Sequence, residues 1–232
     1  MANEKRLLIT GCMSSGTTFM SELLKAIDIR CSHEGIFNQG GREAVAIWQK
    51  LPPYCRAESS WFAAPFVGTM PANISVLHQV RHPLVFVRSL MGRNFMGKIF
   101  EKTMKVGLFI KLHCPESLEL HTSLERSLAF WLYWNQMIEK TPKSQYALWR
   151  VRHIRPIEVV EMLRWSLGIE RTEEQCREAM LKVGTEVHHR ERAEFIRWSD
   201  IPKGALKDEA EQAARRYGYF ELENPVAPAW GA

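Results

Sequence analysis

The sequence lacks several features that mark whole classes of protein. No apolar stretch in its 232 residues approaches the length of a membrane span, so we expect no stable membrane insertion. The N-terminal residues enter a short apolar strand almost at once, which leaves too little room for the apolar region of a signal peptide. Internal repeats and low-complexity linkers are also missing. The sequence therefore predicts a cytoplasmic protein with a single domain over residues 1–232.

Cysteine is too sparse and too scattered for a disulfide framework or a zinc site. The five cysteines are odd in number and include no C-x-x-C pair, which is typical of reduced thiols. Charge of one sign is also in little excess, because the net charge is only +5 and the basic residues are spread along the chain. So modest a charge fits a compact polyanionic small molecule as well as nucleic acid, and we expect no nucleic-acid partner.

Short apolar segments alternate with segments of helical periodicity along the chain. This alternation predicts an α/β fold, a three-layer α/β/α arrangement with a central parallel sheet. Residues 95–114 are either a mobile lid or an irregular helical insertion. The predicted strands are 7–10, 75–80 and 146–151, with a further short one before His33. The predicted helices begin after Gly16 and at Pro83, and cover 42–50, 123–140, 157–167, 172–182 and 207–217.

A small-residue loop connects the first strand to the first helix. Its glycines permit close backbone approach, and backbone N–H groups converge with the positive end of the helix dipole where an anion would bind. The spacing is that of a P-loop, but Thr17 stands where a nucleotide triphosphatase carries lysine, which argues against ATP or GTP hydrolysis. The alternative is a Gly/Ser turn without a ligand. The candidate binding residues are Gly11, Cys12, Met13, Ser14, Ser15, Gly16, Thr17, Thr18 and Phe19.

A second candidate anion site follows the strand 75–80. The strand leads into Arg81-His82-Pro83, and Ser89 lies within the next helix. A Walker-type nucleotidase usually ends such a strand in Asp to organise magnesium, whereas arginine binds an anion directly. Arg81 and Ser89 are therefore candidates to bind one phosphate together. The alternative is a surface arginine before a helix that starts with proline.

Taken together, the loop from Gly11 to Phe19 and the Arg81-His82-Pro83 motif with Ser89 resemble the sulfotransferase family. In that family the loop binds the 5′-phosphosulfate of 3′-phosphoadenosine 5′-phosphosulfate (PAPS), and the Arg and Ser bind its 3′-phosphate. The resemblance implies that PAPS is the co-substrate. It also implies that Arg190 or Arg192, in a basic cluster late in the chain, reaches the 3′-phosphate, although a solvated helix face is the commoner fate of such a cluster.

One loop position departs from the family pattern. Sulfotransferases usually carry Lys or Arg two residues before the loop glycine, where the cation supports the departing phosphate, and here that residue is Ser14. Loss of such a cation raises the barrier by on the order of a few kcal/mol. A non-catalytic or weakly active PAPS-binding protein on the same scaffold is therefore one alternative. A P-loop small-molecule kinase is the other, and it would need a loop lysine, a strand-terminal Asp and magnesium.

The implied reaction needs a base and an acceptor but no metal. Glu34 lies about twenty residues beyond Ser14, where several sulfotransferase subfamilies place a catalytic Glu, and His33 is the alternative base because imidazole titrates near neutral pH. Transfer to a hydroxyl or amine would leave adenosine 3′,5′-bisphosphate. We expect a small-molecule, carbohydrate or lipid acceptor, and the sequence does not indicate the oligomeric state.

Overall fold

A parallel sheet forms the centre of the fold. The computed structural model of the chain describes residues 4–52, 54–97, 105–151, 154–186 and 196–219. Within these residues, the five strands lie in the order β2-β3-β1-β4-β5, and every neighbouring pair is parallel. The α/β class and the central parallel sheet are thereby confirmed. The strands are β1 (Arg6–Gly11), β2 (Cys31–His33), β3 (Ala57–Ser59), β4 (Ile74–Val80) and β5 (Tyr146–Arg150).

Helices flank this sheet. A 3-10 segment, Trp61–Thr69, connects β3 to β4. The α-helices are α1 (Thr17–Ala26), α2 (Phe37–Gly40), α3 (Ala44–Lys50), α4 (Pro83–Met91), α5 (Lys105–His113), α6 (Ser123–Ile138), α7 (Pro156–Leu167), α8 (Glu173–Glu186) and α9 (Ala205–Arg216).

The described chain divides into two compact units. The first, which we call the sheet unit, comprises the described residues of 1–80 and 138–189, and so contains all five strands with α1–α3, α7 and α8. The second, the helical unit, comprises the described residues of 81–137 and 190–227, and contains α4, α5, α6 up to residue 137, and α9. The single domain over residues 1–232 stays a prediction.

The core of the sheet unit explains why these segments adopt their structures. Leu7 and Ile9 on β1 are fully buried, as expected for a central parallel strand covered on its face by helices. Apolar residues recur at helical spacing on α1, and Leu23 packs with Leu163 of α7 and Val183 of α8 in the same core. Each such side chain stabilises the fold by about 1.5–3 kcal/mol through burial. This core supports the end of the sheet where β1 meets α1.

Aromatic rings fill the helical unit. Phe130 and Trp134, one turn apart on α6, have ring centroids 4.8 Å apart, and Phe109 of α5 lies 6.0 Å from Trp134. Phe86 of α4 lies 6.1 Å from Phe130. Aromatic pairs at these separations are favourable beyond the area that they bury. This packing holds α4, which carries Ser89, against α6.

Most predicted elements are confirmed to within a few residues. The predicted strands 7–10, 75–80 and 146–151 correspond to β1, β4 and β5. Within the segment 95–114, residues 105–113 form the regular helix α5, and residues 98–104 lie outside the described part of the chain. The strand β3, between β2 and β1 in the sheet, was not predicted. The sequence thus predicted a parallel sheet correctly but missed one of the five strands that the described residues form.

Candidate functional site

The loop of residues 12–16 follows β1 at the switch point of the sheet. β1 and β4 are neighbours, yet the chain continues from β1 to strands on one side and from β4 to β5 on the other. Ligands of open parallel sheets bind beyond the carboxyl ends of the strands at such a point. The predicted loop therefore lies where this class of fold binds its ligands.

Gly11 ends β1 in close approach to β4. It pairs with Gln79 in the parallel register, and a β-carbon at position 11 would collide with the Gln79 carbonyl oxygen and with the Ser15 hydroxyl. Glycine is required where backbone and neighbouring atoms approach so closely. The first glycine of the predicted motif thus has a steric reason in the fold.

The loop turns through two residues with left-handed backbone conformations. The φ angles are 64° at Ser14 and 94° at Gly16, and the Ser15 N–H donates to the Cys12 carbonyl oxygen at 3.0 Å. No side chain in the described residues caps α1, and no acidic residue stands in its first turn. The amides of that first turn, at the positive end of the helix dipole, are therefore suited to bind an anion.

The side chains of the loop differ in accessibility. Cys12, Met13 and Phe19 are buried, and Phe19 belongs to the core of the sheet unit. Thr18 is exposed, and Ser14 is half-buried. The loop thus buries its larger side chains and leaves those of Ser14 and Thr18 accessible.

Several buried polar atoms surround the loop without a hydrogen-bond partner in the described residues. Gln79 on β4 is 0% exposed, and its Nε2 lies 3.8 Å from where a β-carbon of Gly16 would be. Buried polar groups normally have hydrogen-bond partners, so these atoms are suited to donate to, or accept from, a ligand beside the loop. Sequence reasoning missed Gln79, because a single Gln in an apolar strand carries no motif. The unpartnered atoms are Thr10 Oγ1, Ser15 Oγ, Ser60 Oγ, and Gln79 Oε1 and Nε2.

The two candidate bases lie beside the loop. His33 ends β2, and its Nε2 lies 3.3 Å from the Thr18 hydroxyl oxygen and 3.4 Å from that of Thr17. A carboxylate oxygen of Glu34 lies 3.8 Å from the same nitrogen. The structure thus brings Glu34, His33 and the loop threonines together, as the predicted site requires, while the catalytic role of either base stays a prediction.

Burial shifts the pKa values of both bases. It lowers the pKa of His33, with Lys25 acting in the same direction and Glu22 opposing. Burial, reinforced by the nearby Glu58, raises the pKa of Glu34 to about 6. At pH 7 His33 is consequently neutral. Glu34 is ionised in most molecules, and its raised pKa makes it a stronger proton acceptor than an ordinary carboxylate. Both groups are able to accept a proton near neutral pH.

Glu58 on β3 is a buried carboxylate that sequence reasoning missed. It is 0% exposed, accepts a hydrogen bond from the Ser32 hydroxyl, and accepts another from the Ile36 N–H at 3.1 Å. Burial raises the pKa of Glu58, and these donors oppose the rise. The signal in the sequence was an acidic residue in a short segment, Ala57–Ser59, that ends shortly before Trp61.

Arg81 begins the helical unit, directly after β4 along the chain. Its carbonyl oxygen accepts a hydrogen bond from Trp131 Nε1 at 2.9 Å. Burial lowers the pKa of its guanidinium, Tyr219 raises it, and the positive charge of Arg93 lowers it further. His82 caps α4 by accepting from the Leu84 N–H at 3.2 Å. A hydrogen bond thus fixes the backbone of Arg81. The Arg81 guanidinium lies close enough to that of Arg93 for the two charges to interact.

Ser89 lies on α4 in the same unit. Arg93 Nη2 donates to the Ser89 hydroxyl oxygen at 3.4 Å, so Arg93 is close to both residues of the predicted motif. Two guanidinium groups and a hydroxyl can donate several hydrogen bonds to one tetrahedral anion. Arg93 had no motif to identify it in the sequence. Arg190, the other predicted arginine, lies outside the described residues, as does Arg192.

Comparison with known proteins adds no family assignment. Neither the scan against protein-family models nor the search of curated proteins finds a match to the chain. Within the described ranges, no helix is both long and apolar enough to cross a membrane. Across the same ranges, no group of three or more His, Cys, Asp or Glu side chains is arranged to hold a metal ion.

Proposed function

We propose that the chain is a PAPS-dependent sulfotransferase, which transfers a sulfonate group to a hydroxyl or amine of a small-molecule, carbohydrate or lipid acceptor. The loop of residues 12–16 supports this most directly, because it leads into the positive end of α1 and has a candidate base, Glu34, beside it. In the proposal this loop is P-loop-like and binds the 5′-phosphosulfate. Arg81 and Ser89, joined by Arg93, bind the 3′-phosphate.

The proposed reaction assigns one role to each group. The acceptor oxygen attacks sulfur in line, its proton passes to Glu34, and the bond between sulfur and the bridging oxygen of the 5′-phosphate breaks. The electron pair stays on that oxygen, so negative charge develops on the phosphate of adenosine 3′,5′-bisphosphate. Loop amides and the positive end of α1 stabilise this charge. His33, which contacts the loop threonines, is the second candidate base.

Ser14 favours a second candidate function, namely binding of PAPS or its product without fast transfer. It provides a hydroxyl where the resembling family provides a cation, so the charge on the departing phosphate is less well stabilised. Binding relies on several loop amides and on arginines, so the missing cation at Ser14 should slow transfer more than it weakens binding. The two candidates therefore agree on the ligand and differ in the rate of transfer.

Calorimetry with adenosine 3′,5′-bisphosphate and with 5′-AMP tests the shared part of the proposal. The wild-type chain should bind the bisphosphate more tightly, and Arg81→Ala should weaken that binding by about tenfold or more while changing AMP binding little. Arg215→Ala, which removes an exposed arginine of the same unit, is the matched control and should change neither. Equal losses for both nucleotides in Arg81→Ala, or no binding by the wild type, would contradict the assignment.

A transfer assay separates the two candidates. Radiolabelled PAPS is offered with a panel of alcohols, amines, sugars and lipids, and Glu34→Gln is assayed beside the wild type. Transfer by the wild type that is lost in Glu34→Gln, with nucleotide affinity retained, supports the enzyme. Binding without transfer to any acceptor supports the non-catalytic candidate.

A further inference from the structure

Glu58 has an unusual number of donors for a residue without a predicted role. Its buried carboxylate accepts hydrogen bonds from the Ser32 hydroxyl and from the N–H of Ile36, and the N–H groups of Gly35 and Phe37 also stabilise its charged form. An ionised carboxylate is costly to bury unless such donors surround it. The Ile36 donor belongs to the turn of residues 35–37, directly after Glu34, so Glu58 ties this turn to β3.

That turn carries Glu34 in an unfavourable backbone conformation. The φ angle of Glu34 is 56°, in the left-handed region, which costs roughly 1–2 kcal/mol for a residue with a β-carbon. The Glu34 N–H donates to the Ser59 carbonyl oxygen at 3.0 Å, one residue after Glu58. β3 therefore binds this segment at two points, through the Ser59 carbonyl at Glu34 and through the Glu58 carboxylate at Ile36.

We propose that Glu58 is a positioning residue for Glu34, because its carboxylate fixes the turn of residues 35–37 and so holds the Glu34 side chain beside His33 and the loop threonines. The catalytic consequence of this proposal rests on the proposed function, but the positioning itself does not. Without the Glu58 carboxylate, the Ile36 amide loses its acceptor. The Glu34 backbone then keeps its bond to the Ser59 carbonyl but loses the contact that fixes the turn after it.

The charge of Glu58 acts on its surroundings as well as on the turn. It raises the pKa of Glu34, and it raises that of the buried Cys31 thiol on β2 in addition to the larger effect of burial. The α1 residues Glu22 and Lys25 act on His33. Glu58 therefore holds Glu34 in place and also makes it a stronger proton acceptor.

Carbon-13 NMR titration of the Glu34 carboxyl tests whether the Glu58 carboxylate acts on Glu34 in the full chain. Glu58→Gln keeps the size of the side chain and one acceptor oxygen but removes the charge, so the titration midpoint of Glu34 should fall by about half a pH unit or more. Glu22→Gln is the matched control, because it removes a half-exposed carboxylate of α1 that does not contribute to the pKa shift of Glu34, and it should leave that midpoint in place. An unchanged midpoint in Glu58→Gln overturns the proposal.

Hydrogen exchange of the wild type keeps the proposal testable even if Glu58→Gln fails to fold. The Ile36 amide should exchange at least about tenfold more slowly than in an unstructured peptide, because the buried Glu58 carboxylate accepts from it. Exchange at the unprotected rate overturns the proposal.

A nucleotide experiment distinguishes failure of this proposal from failure of the proposed function. Glu58→Gln should retain the wild-type affinity for adenosine 3′,5′-bisphosphate while kcat falls and the acid limb of the pH profile moves to lower pH. Absence of nucleotide binding in the wild type would overturn the proposed function and leave the NMR and exchange results to decide the role of Glu58. A normal kcat and pH profile in Glu58→Gln would refute the positioning role and leave the function intact.

Discussion

Replacement of Glu34 by glutamine should make the protein more stable than the wild type, by an amount that grows as the pH rises. The folded chain raises the pKa of this carboxyl from 4.5 to about 6, through burial and through the charge of Glu58. The unfolded chain therefore releases the Glu34 proton at lower pH than the folded chain does. The contribution of protonated Glu34 to folding stability is fully present below pH 4.5 and is lost as the pH rises through about 6. Glutamine carries no charge and avoids this loss.

The size of the effect follows from the pKa values. A rise from 4.5 to about 6 corresponds to roughly 2 kcal/mol if it is fully expressed. The Glu34 side chain is 29% exposed, and screening by solvent reduces the expected effect to about 1 kcal/mol. The stability difference between Glu34→Gln and the wild type should thus shift by this amount, in favour of the variant, between pH 4.5 and pH 7.5.

Urea unfolding of both proteins at a series of pH values measures this difference directly. Glu22→Gln is the matched control with the opposite sign, since the hydrogen bond from Lys25 lowers the pKa of Glu22. The ionised form of Glu22 stabilises the folded chain. Glu22→Gln should therefore be less stable than the wild type above pH 4.5, and this difference should disappear as the pH falls. A Glu34→Gln difference that is constant with pH, or that runs in the same direction as that of Glu22→Gln, would refute the reasoning.

Three further substitutions test other parts of the site. Gly11→Ala should destabilise the chain by about 1–3 kcal/mol in urea unfolding, because its β-carbon collides with backbone, whereas Gly68→Ala, where a β-carbon meets nothing within 4 Å, should cost little. Ser14→Lys should raise the rate of sulfonate transfer by about tenfold or more, because it places a cation beside the departing phosphate. It adds no new backbone strain, since Ser14 already has a φ of 64°. An unchanged rate would mean that another group stabilises the departing phosphate. Trp131→Phe removes the donor to the Arg81 carbonyl and should cost about 1 kcal/mol of stability, with weaker binding of adenosine 3′,5′-bisphosphate in calorimetry; unaltered binding would show that this contact does not orient Arg81.

Local patterns in the sequence predicted the start of the fold well. Residues 7–10 form part of β1, and α1 begins at Thr17, directly after the second glycine. Burial of a continuous apolar run, a turn that needs glycine, and an amphipathic helix are properties of neighbouring residues, so the sequence alone contains them. The same reasoning predicted β4 and the proline at the first turn of α4.

Long-range interactions explain what the sequence did not predict. β3 has three residues with Glu58 at its centre, and only donors at Ser32 and in the turn after Glu34 make that carboxylate acceptable in a buried strand. No pattern within the segment indicates those donors. The proximity of Arg93 to Arg81 likewise depends on how helices pack. Such contacts are tertiary, and a single sequence does not contain a local signal for them.

The position of β1 in the sheet has a consequence for how the chain folds. The loop, His33, Glu34 and Glu58 all lie within the first 60 residues, yet β1 pairs on one side with β4, whose first residue is Ile74. An N-terminal fragment that ends before β4 would expose an apolar strand edge with unpaired backbone groups, which invites aggregation. Pairing across so long a separation is also slow. The candidate loop, His33, Glu34 and Glu58 should therefore reach their final arrangement only after β4, which follows them in the chain, has joined β1.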